Sequence, residues 1–216
     1  MAEGLGSLEG LAAQPASSLE ALAALAILVE RWSQRMNLTG HRTGEQVVRH
    51  LILDAAALDA ALPQSIESLV DLGSGLGFPG LPLAILHPER KLLLVESRER
   101  RHHFQRLAIR ELGLENVEAR RGRAESLSPT PHDAGVAQAV ARPRAAALLL
   151  LPWVRPDGWL IIPGGSRGPV IGPLPGVESE RILHYQVPLG GPRRSIWLGR
   201  KERSPLDGRQ AGRCDT

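Results

Sequence analysis

Residues 69–80 read Leu-Val-Asp-Leu-Gly-Ser-Gly-Leu-Gly-Phe-Pro-Gly, an apolar run that carries an aspartate and leads into glycines at alternate positions. Glycine lets the backbone turn sharply and approach a ligand at distances that a Cβ atom would prevent. Pro79 has the fixed φ that suits the first position of a helix. The stretch therefore predicts a strand, a glycine loop and a helix, the layout that cradles a nucleotide in doubly wound sheets.

A second acidic residue points to the same kind of site. Glu96 ends the apolar run Leu92-Leu93-Leu94-Val95, at the spacing where a carboxylate binds ribose hydroxyls. Residues 75–80 also fit the dinucleotide pattern G-x-G-x-x-G, which leaves a nicotinamide-dependent oxidoreductase as an alternative. A tight turn without a ligand is another. The aspartate and the three alternate glycines instead resemble the first motif of S-adenosylmethionine methyltransferases, and we favour that interpretation.

Length and composition bound the class of protein. The chain has 216 residues, 43% of them hydrophobic and 23% charged, which suits one substantial α/β domain. No apolar run reaches the length of a membrane span, and residues 1–4 do not begin a secretion signal. The single cysteine, Cys214, excludes an internal disulfide framework. We therefore expect a cytoplasmic protein without a membrane partner.

Arginine supplies nearly all of the basic charge. Lys91 and Lys201 are the only lysines, and the formal net charge is +3. Arginine binds phosphate with two parallel hydrogen bonds and stacks on bases, so this bias suits RNA binding. A GC-rich coding sequence would explain it equally well.

The patterns along the chain predict its organisation. We expect a disordered N-terminus over residues 1–16, a helical cap over 17–62, a methyltransferase domain over 63–201 and a disordered tail over 202–216. Within the cap, the apolar spacing predicts one helix from Ser17 to Met36 and a second over residues 45–58.

From residue 68 onward, strand and helix patterns alternate. Strands are predicted at residues 69–72, 92–95, 117–119, 135–141 and 159–162. Helices are predicted over residues 79–86, from a cap at Ser97 to Gly113, and over residues 145–151. A turn at 156–158, a long loop at 163–176 and an antiparallel hairpin from 182–187 and 195–198 complete the chain. The predicted fold class is a Rossmann-like α/β sheet with helices on both faces.

Four segments occur in an order that resembles one family. They are Asn37-Leu38-Thr39, His50-Leu51-Ile52-Leu53-Asp54, residues 71–80 with their Phe-Pro-Gly, and Gly122-Arg123-Ala124-Glu125. Together they resemble the bacterial small-subunit rRNA guanine-N7 methyltransferases (RsmG, formerly glucose-inhibited division protein B). The resemblance covers about residues 19–165 and resumes at Arg193-Arg194.

The resemblance implies transfer of a methyl group from S-adenosylmethionine to N7 of a guanine in 16S rRNA, at guanine 527 in this family. The partner would be 16S rRNA or the small ribosomal subunit, and the enzyme would be a monomer. N7 has an in-plane lone pair and no proton, so its methylation needs no general base, and alignment can supply most of the acceleration. No catalytic residue is therefore assigned.

Site residues follow from the matching positions. The predicted cofactor-binding residues are Gly73, Gly75, Phe78, Glu96, Ala124, Glu125 and Arg142. The glycines would line the methionine, Glu96 would hold the ribose, and Ala124 and Glu125 would border the adenine. The predicted RNA-binding residues are Asn37, Arg193 and Arg194.

The chain also departs from the family pattern. The family's Ser-Arg-Ala reads Ala141-Arg142-Pro143, and its lysine-glycine after the fifth strand reads Pro163-Gly164. These departures leave open a non-catalytic RNA-binding relative. His102 and His103 are adjacent on a predicted helix and point about 100° apart, which makes a poor metal pair, so we expect no metal site.

Overall fold

The structure is a computed structural model that describes residues 9–36 and 40–203, with only the backbone at residues 35 and 36. Predictions about residues 1–8, the Asn37-Leu38-Thr39 segment and residues 204–216 lie outside the described residues. Cys214 is among the latter.

The N-terminal part is helical, as the apolar spacing predicts. Helix α1 spans Ala16–Met36 and buries Leu22, Leu25 and Val29. The predicted second helix consists of α2 (Gly44–Val47), a π-helical turn (Val48–Ile52) and α3 (Leu53–Ala60). Residues 9–12 are also helical, and Leu11 packs against the core, although this segment was expected to be disordered.

One mixed sheet of seven strands forms the centre of the described chain. The strands are β1 (Ser68–Leu72), β2 (Lys91–Glu96), β3 (Val117–Arg121), β4 (His132–Ala137), β5 (Val154–Gly164), β6 (Val177–Gln186) and β7 (Arg193–Lys201). Their order is β3-β2-β1-β4-β5-β7-β6. Strands β1 to β5 pair in parallel, and β7 is antiparallel to both β5 and β6. The predicted parallel repeats and the terminal hairpin are therefore confirmed.

Helices cover both faces of this sheet, which is why β1 and β2 contain the apolar runs Leu69-Val70 and Leu92-Leu93-Leu94-Val95. The connecting helices are α4 (Gly80–Leu86), α5 (Glu99–Glu111) and α6 (Pro143–Leu150), with short 3₁₀ turns at Ala124–Ser126 and Leu151–Trp153. On one face, Leu69 and Leu92 pack beneath α3 and α4. On the other face, Val70 and Leu93 pack beneath α6.

Three local predictions are wrong in detail. Residues 156–158 do not form a turn before a strand but lie inside β5, where the pairing with β4 shifts register. Strand β4 ends at Ala137 rather than residue 141, and the chain leaves the sheet there. Ser97 does not cap α5, which begins at Glu99, because the Ser97 hydroxyl donates to Glu96 instead.

Candidate functional site

The loop after β1 crosses the carboxyl end of the parallel strands, where ligands bind in open α/β sheets. Gly73, Gly75 and Gly77 have φ values of +67°, +58° and +86°, a region that side chains rarely adopt. The backbone N–H groups of Gly73 and Ser74 donate to the carbonyl of Val95 at 2.8 and 3.1 Å. The loop is thus attached to the end of β2.

The three glycines have different surroundings. A Cβ atom on Gly73 would lie 2.6 Å from Val140, and one on Gly77 would lie 2.5 Å from Leu81. These two positions are closed by neighbouring side chains. A Cβ atom on Gly75 would make only an ordinary contact, 3.8 Å from Arg101 Nη1, so Gly75 is not closed by its neighbours and lines a cleft above the loop.

Asp71 holds the helix that follows the loop. Its buried carboxylate accepts a hydrogen bond from the backbone N–H of Gly80, the first residue of α4, at 3.1 Å. Burial raises the pKa of Asp71 to about 8; the Gly80 N–H opposes the shift and the charge of Glu96 adds to it. The aspartate of the motif therefore orients β1 and α4 and is largely protonated at neutral pH.

Glu96, the predicted ribose ligand, is buried beneath the loop. One oxygen, Oε2, accepts the N–H of Gly75 at 3.0 Å. The other, Oε1, accepts the N–H of Arg98 at 2.7 Å and the hydroxyl of Ser97 at 3.4 Å. The same carboxylate thus shapes the loop and lies beside Gly75, the glycine that its neighbours leave uncrowded.

Gln105 was not recognised from the sequence. It is fully buried on α5, and its side-chain nitrogen donates to Ser74 Oγ and to the carbonyl of Gly75, both at 2.8 Å. The available signal was a polar residue on the same helix face as Phe104 and Ala108, which are buried. A buried amide needs partners; the glycine loop supplies them for the nitrogen, whereas Gln105 Oε1 has none among the described residues.

A cleft opens above this loop, which we call the glycine-loop cleft. It is lined by Gly73, Ser74, Gly75, Leu76, Phe78, Leu51, Arg101, Gln138 and Ala139. It therefore brings together three of the predicted cofactor-binding residues, with Glu96 beneath it. Ala124 and Glu125 follow β3 at the same edge of the sheet, and the exposed Arg142 caps α6. These three residues do not line the cleft.

Two adjoining cavities lie next to this cleft and share Asp54, Gln138, Pro163 and Tyr185. We call them together the Asp54 pocket. The Tyr185 hydroxyl donates to Asp54 Oδ1 at 2.9 Å, and Arg194 Nη2 lies 3.2 Å from Asp54 Oδ2. Burial and the negative charge of Asp54 raise the pKa of Tyr185 far above its ordinary value, so its hydroxyl stays a donor.

The predicted RNA-binding residues have different positions. Arg194 lines the Asp54 pocket and is ion-paired there, whereas Arg193 is exposed at the start of β7. Asn37 lies outside the described residues. Over residues 9–36 and 40–203, the structure contains no helix long and apolar enough to cross a membrane. The same residues form no group of three or more histidine, cysteine or acidic side chains placed to hold a metal ion.

This strand order, with a glycine loop after β1 and a buried acid at the end of β2, defines a class I methyltransferase fold. Solved structures share the fold. A putative O-methyltransferase from Klebsiella pneumoniae has a TM-score of 0.53 at 17% identity, over 83% of this chain and 90% of that one. A SAM-dependent methyltransferase from Aquifex aeolicus has a TM-score of 0.52 at 16% identity, over 71% and 92%.

Sequence comparison gives the family. The profile of the GidB family, described as rRNA small subunit methyltransferase G, matches residues 18–167. A ribosomal RNA small subunit methyltransferase G from Deinococcus deserti is 32% identical over 203 residues, which cover 88% of this chain and 83% of the relative. Another from Azoarcus sp. is 33% identical over 185 residues, covering 78% and 87%.

The chain belongs to the rRNA small subunit methyltransferase G family, as its motifs predicted. Its cofactor is S-adenosylmethionine. The nicotinamide-dependent alternative is therefore wrong.

Proposed function

We propose that this protein transfers the methyl group of S-adenosylmethionine to N7 of a guanine in 16S rRNA, with guanine 527 as the position. One observation carries the proposal: the glycine-loop cleft and the Asp54 pocket adjoin and share Leu51, Phe78, Gln138 and Ala139. A methyl donor bound in the cleft and a base bound in the pocket would meet at these shared residues. Two adjoining compartments suit a transfer between a small cofactor and a base turned out of its stack.

The cofactor fits the cleft on chemical grounds. Gly75 leaves room for close backbone approach, and Glu96 offers carboxylate oxygens to the ribose hydroxyls beside it. Ala124 and Glu125, after β3, would border the adenine because adjacent parallel strands end at the same edge. Arg142 remains a proposed pocket residue at the start of α6.

Methylation of N7 requires no acid or base from the side chains. The N7 lone pair attacks the methyl carbon, the carbon–sulfur bond breaks, and its electron pair stays on sulfur to give S-adenosylhomocysteine. No proton moves, so proximity and in-line alignment are the main requirements. The positive charge passes from sulfur to the guanine ring. The buried carboxylate of Asp54 lies in the compartment where that charge would develop.

RNA binding is proposed for Asn37, Arg193 and Arg194. Arg193 is exposed beside the turn that joins β6 to β7 and is suited to a phosphate. Arg194 is half-buried within the Asp54 pocket and is suited to a contact with the base itself. Asn37 belongs to the segment that follows α1.

The test is methylation of small ribosomal subunits from a strain that lacks this modification. The purified protein and S-adenosylmethionine should add one methyl group, mapped by chemical cleavage at N7-methylguanine. Modification at another nucleotide or another atom would overturn the assignment. Tight binding of subunits without any transfer would instead support the non-catalytic relative.

A further inference from the structure

Asp54 has a setting that the methyl transfer does not by itself explain. It lies on α3, is only 8% exposed, and stands where the two cavities of the Asp54 pocket meet. The neighbouring walls are mostly apolar and include Ala55, Leu58 and Pro163. A buried carboxylate is costly unless its oxygens are bonded, so its partners show what it can still accept.

The hydrogen-bonding capacity of this carboxylate is only partly used. An ionised carboxylate offers about four acceptor sites. The Tyr185 hydroxyl donates to Oδ1, and Arg194 Nη2 forms an ion pair with Oδ2 at 3.2 Å. The Nε–H of Arg194 is itself buried and has no acceptor among the residues that the structure describes. Asp54 thus keeps acceptor capacity at the pocket, and the adjacent Arg194 has a buried Nε–H without an acceptor among the described residues.

A guanine has the complementary edge. Its N1–H and 2-amino groups are adjacent donors, and O6 beside them is an acceptor. We infer that Asp54 accepts hydrogen bonds from N1–H and the 2-amino group while Arg194 donates to O6, so that this pair selects guanine. The inference rests on the proposed function and names the residues that choose its base.

The position of the methyl donor agrees with this arrangement. N7 lies in the five-membered ring, on the far side of the base from the 2-amino group. A guanine held by Asp54 can therefore direct N7 toward Phe78 and Gln138, which the pocket shares with the glycine-loop cleft. Adenine has no 2-amino group and offers an acceptor at N1, so it would leave the carboxylate facing a lone pair.

The Tyr185 hydroxyl has a positioning role in this scheme. It fixes one oxygen of Asp54 from β6, so that the carboxylate cannot rotate away from the pocket. Tyr185→Phe removes that restraint but leaves the carboxylate and its charge. This variant therefore tests the effect of the orientation of the Asp54 carboxylate, whereas Asp54→Asn tests the effect of removing the carboxylate.

The experiment compares guanine with inosine, which keeps N7, O6 and N1–H and lacks only the 2-amino group. Small subunits are reconstituted with 16S rRNA that carries one or the other base at the methylated position. The wild-type protein should methylate guanine with a kcat/KM at least about tenfold higher, the usual effect of one hydrogen bond to a charged group. In Asp54→Asn the ratio of kcat/KM for guanine to kcat/KM for inosine should fall below about three.

The controls isolate the base-reading role from folding. Tyr185→Phe should lower the preference for guanine less than Asp54→Asn does, because the carboxylate stays but loses the hydrogen bond that orients it. Glu45→Gln makes the same change of charge at an exposed residue of α2 and should behave as wild type. Affinity for S-adenosylmethionine and the circular dichroism spectrum should be unchanged in all three variants. If Asp54→Asn turns over too slowly, the affinities for guanine- and inosine-containing subunits in the presence of S-adenosylhomocysteine give the same ratio.

The outcomes are distinct. An equal preference in wild type and Asp54→Asn, or no preference in wild type, would show that Asp54 only ties α3 to β6 and β7. Absence of N7 methylation by the wild-type protein on guanine-containing subunits would overturn the proposed function itself.

Discussion

At the scale of single residues, the glycine loop separates positions that look alike in the sequence. Gly75 and Gly77 both have positive φ, but a Cβ on Gly77 would overlap Leu81, whereas one on Gly75 would make only an ordinary contact with Arg101. The same substitution should therefore have different effects at the two positions.

We predict that Gly75→Ala lowers the affinity for S-adenosylmethionine at least tenfold while the protein stays folded. Positive φ costs alanine about 1 kcal/mol at either site, so Gly77→Ala is the matched control. It should lose more stability because of the Leu81 overlap. Calorimetric titration and urea unfolding measure the two effects. Wild-type cofactor affinity in Gly75→Ala would show that the ligand does not approach this glycine.

Glu96 gives a second prediction. Glu96→Gln should weaken S-adenosylmethionine binding roughly ten- to a hundredfold, because a charge-assisted hydrogen bond to the ribose is lost. Glu99→Gln is the control, since Glu99 is exposed and pairs with Arg121 at the surface. An unchanged dissociation constant for Glu96→Gln would limit the role of this carboxylate to its bonds with Gly75 and Arg98.

Asp71 makes stability depend on pH. Its pKa rises from the ordinary 3.8 to about 8 in the folded protein, so between these values the folded state holds one proton more than the unfolded chain. Stability should therefore fall as pH rises through this range, by about 1.4 kcal/mol per pH unit, and level off above pH 8. Urea unfolding of Asp71→Asn from pH 5 to pH 8 should lack this contribution. Parallel curves for variant and wild type would contradict it.

At the scale of elements, the β6–β7 hairpin carries an exposed arginine, Arg193, next to a half-buried one, Arg194. Arg193 is free to meet a phosphate, while Arg194 is held by Asp54 from α3. The hairpin can thus contribute both to the affinity for RNA and to the shape of the pocket.

Arg193→Ala should reduce the salt dependence of subunit binding. Affinity falls as salt rises, and each lost phosphate contact makes the slope of log affinity against log salt less negative by about 0.7–0.9. Affinity for S-adenosylmethionine should not change. Arg110→Ala is the matched control, because Arg110 is exposed in the last turn of α5 and pairs with Glu111. Filter binding across a salt series provides the measurement. Equal slopes in both variants would place the RNA elsewhere.

At the scale of the whole molecule, cofactor binding should stabilise the fold. A ligand at one hundred times its dissociation constant adds about 2.7 kcal/mol, which corresponds to about 5–10 °C in melting temperature for a chain of this size. S-adenosylmethionine should produce this shift in a thermal melt, and NADH should not. Gly75→Ala should show a smaller shift at the same concentration. A shift with NADH alone would contradict the cofactor assignment.

The sequence by itself determined the succession of strands and helices along the chain, the glycine loop and the family. The elements and the loop rest on local properties, namely apolar spacing, positive φ at glycine and the fixed φ of proline, whereas the family was indicated by the resemblance of four motifs. Local signals were weaker at boundaries: Ser97 could not be recognised as a partner of Glu96 rather than a helix cap, because the choice depends on where the carboxylate lies.

The tertiary structure alone decided which residues meet. Gln105 reaches Ser74 across 31 residues, and Tyr185 reaches Asp54 across 131. No local pattern encodes such contacts, because they depend on the order of strands in the sheet and on the packing of α3 and α5 against it. The position of β7 between β5 and β6 brings Arg194 to Asp54. That long-range packing, rather than any motif, forms the pocket beside the glycine loop.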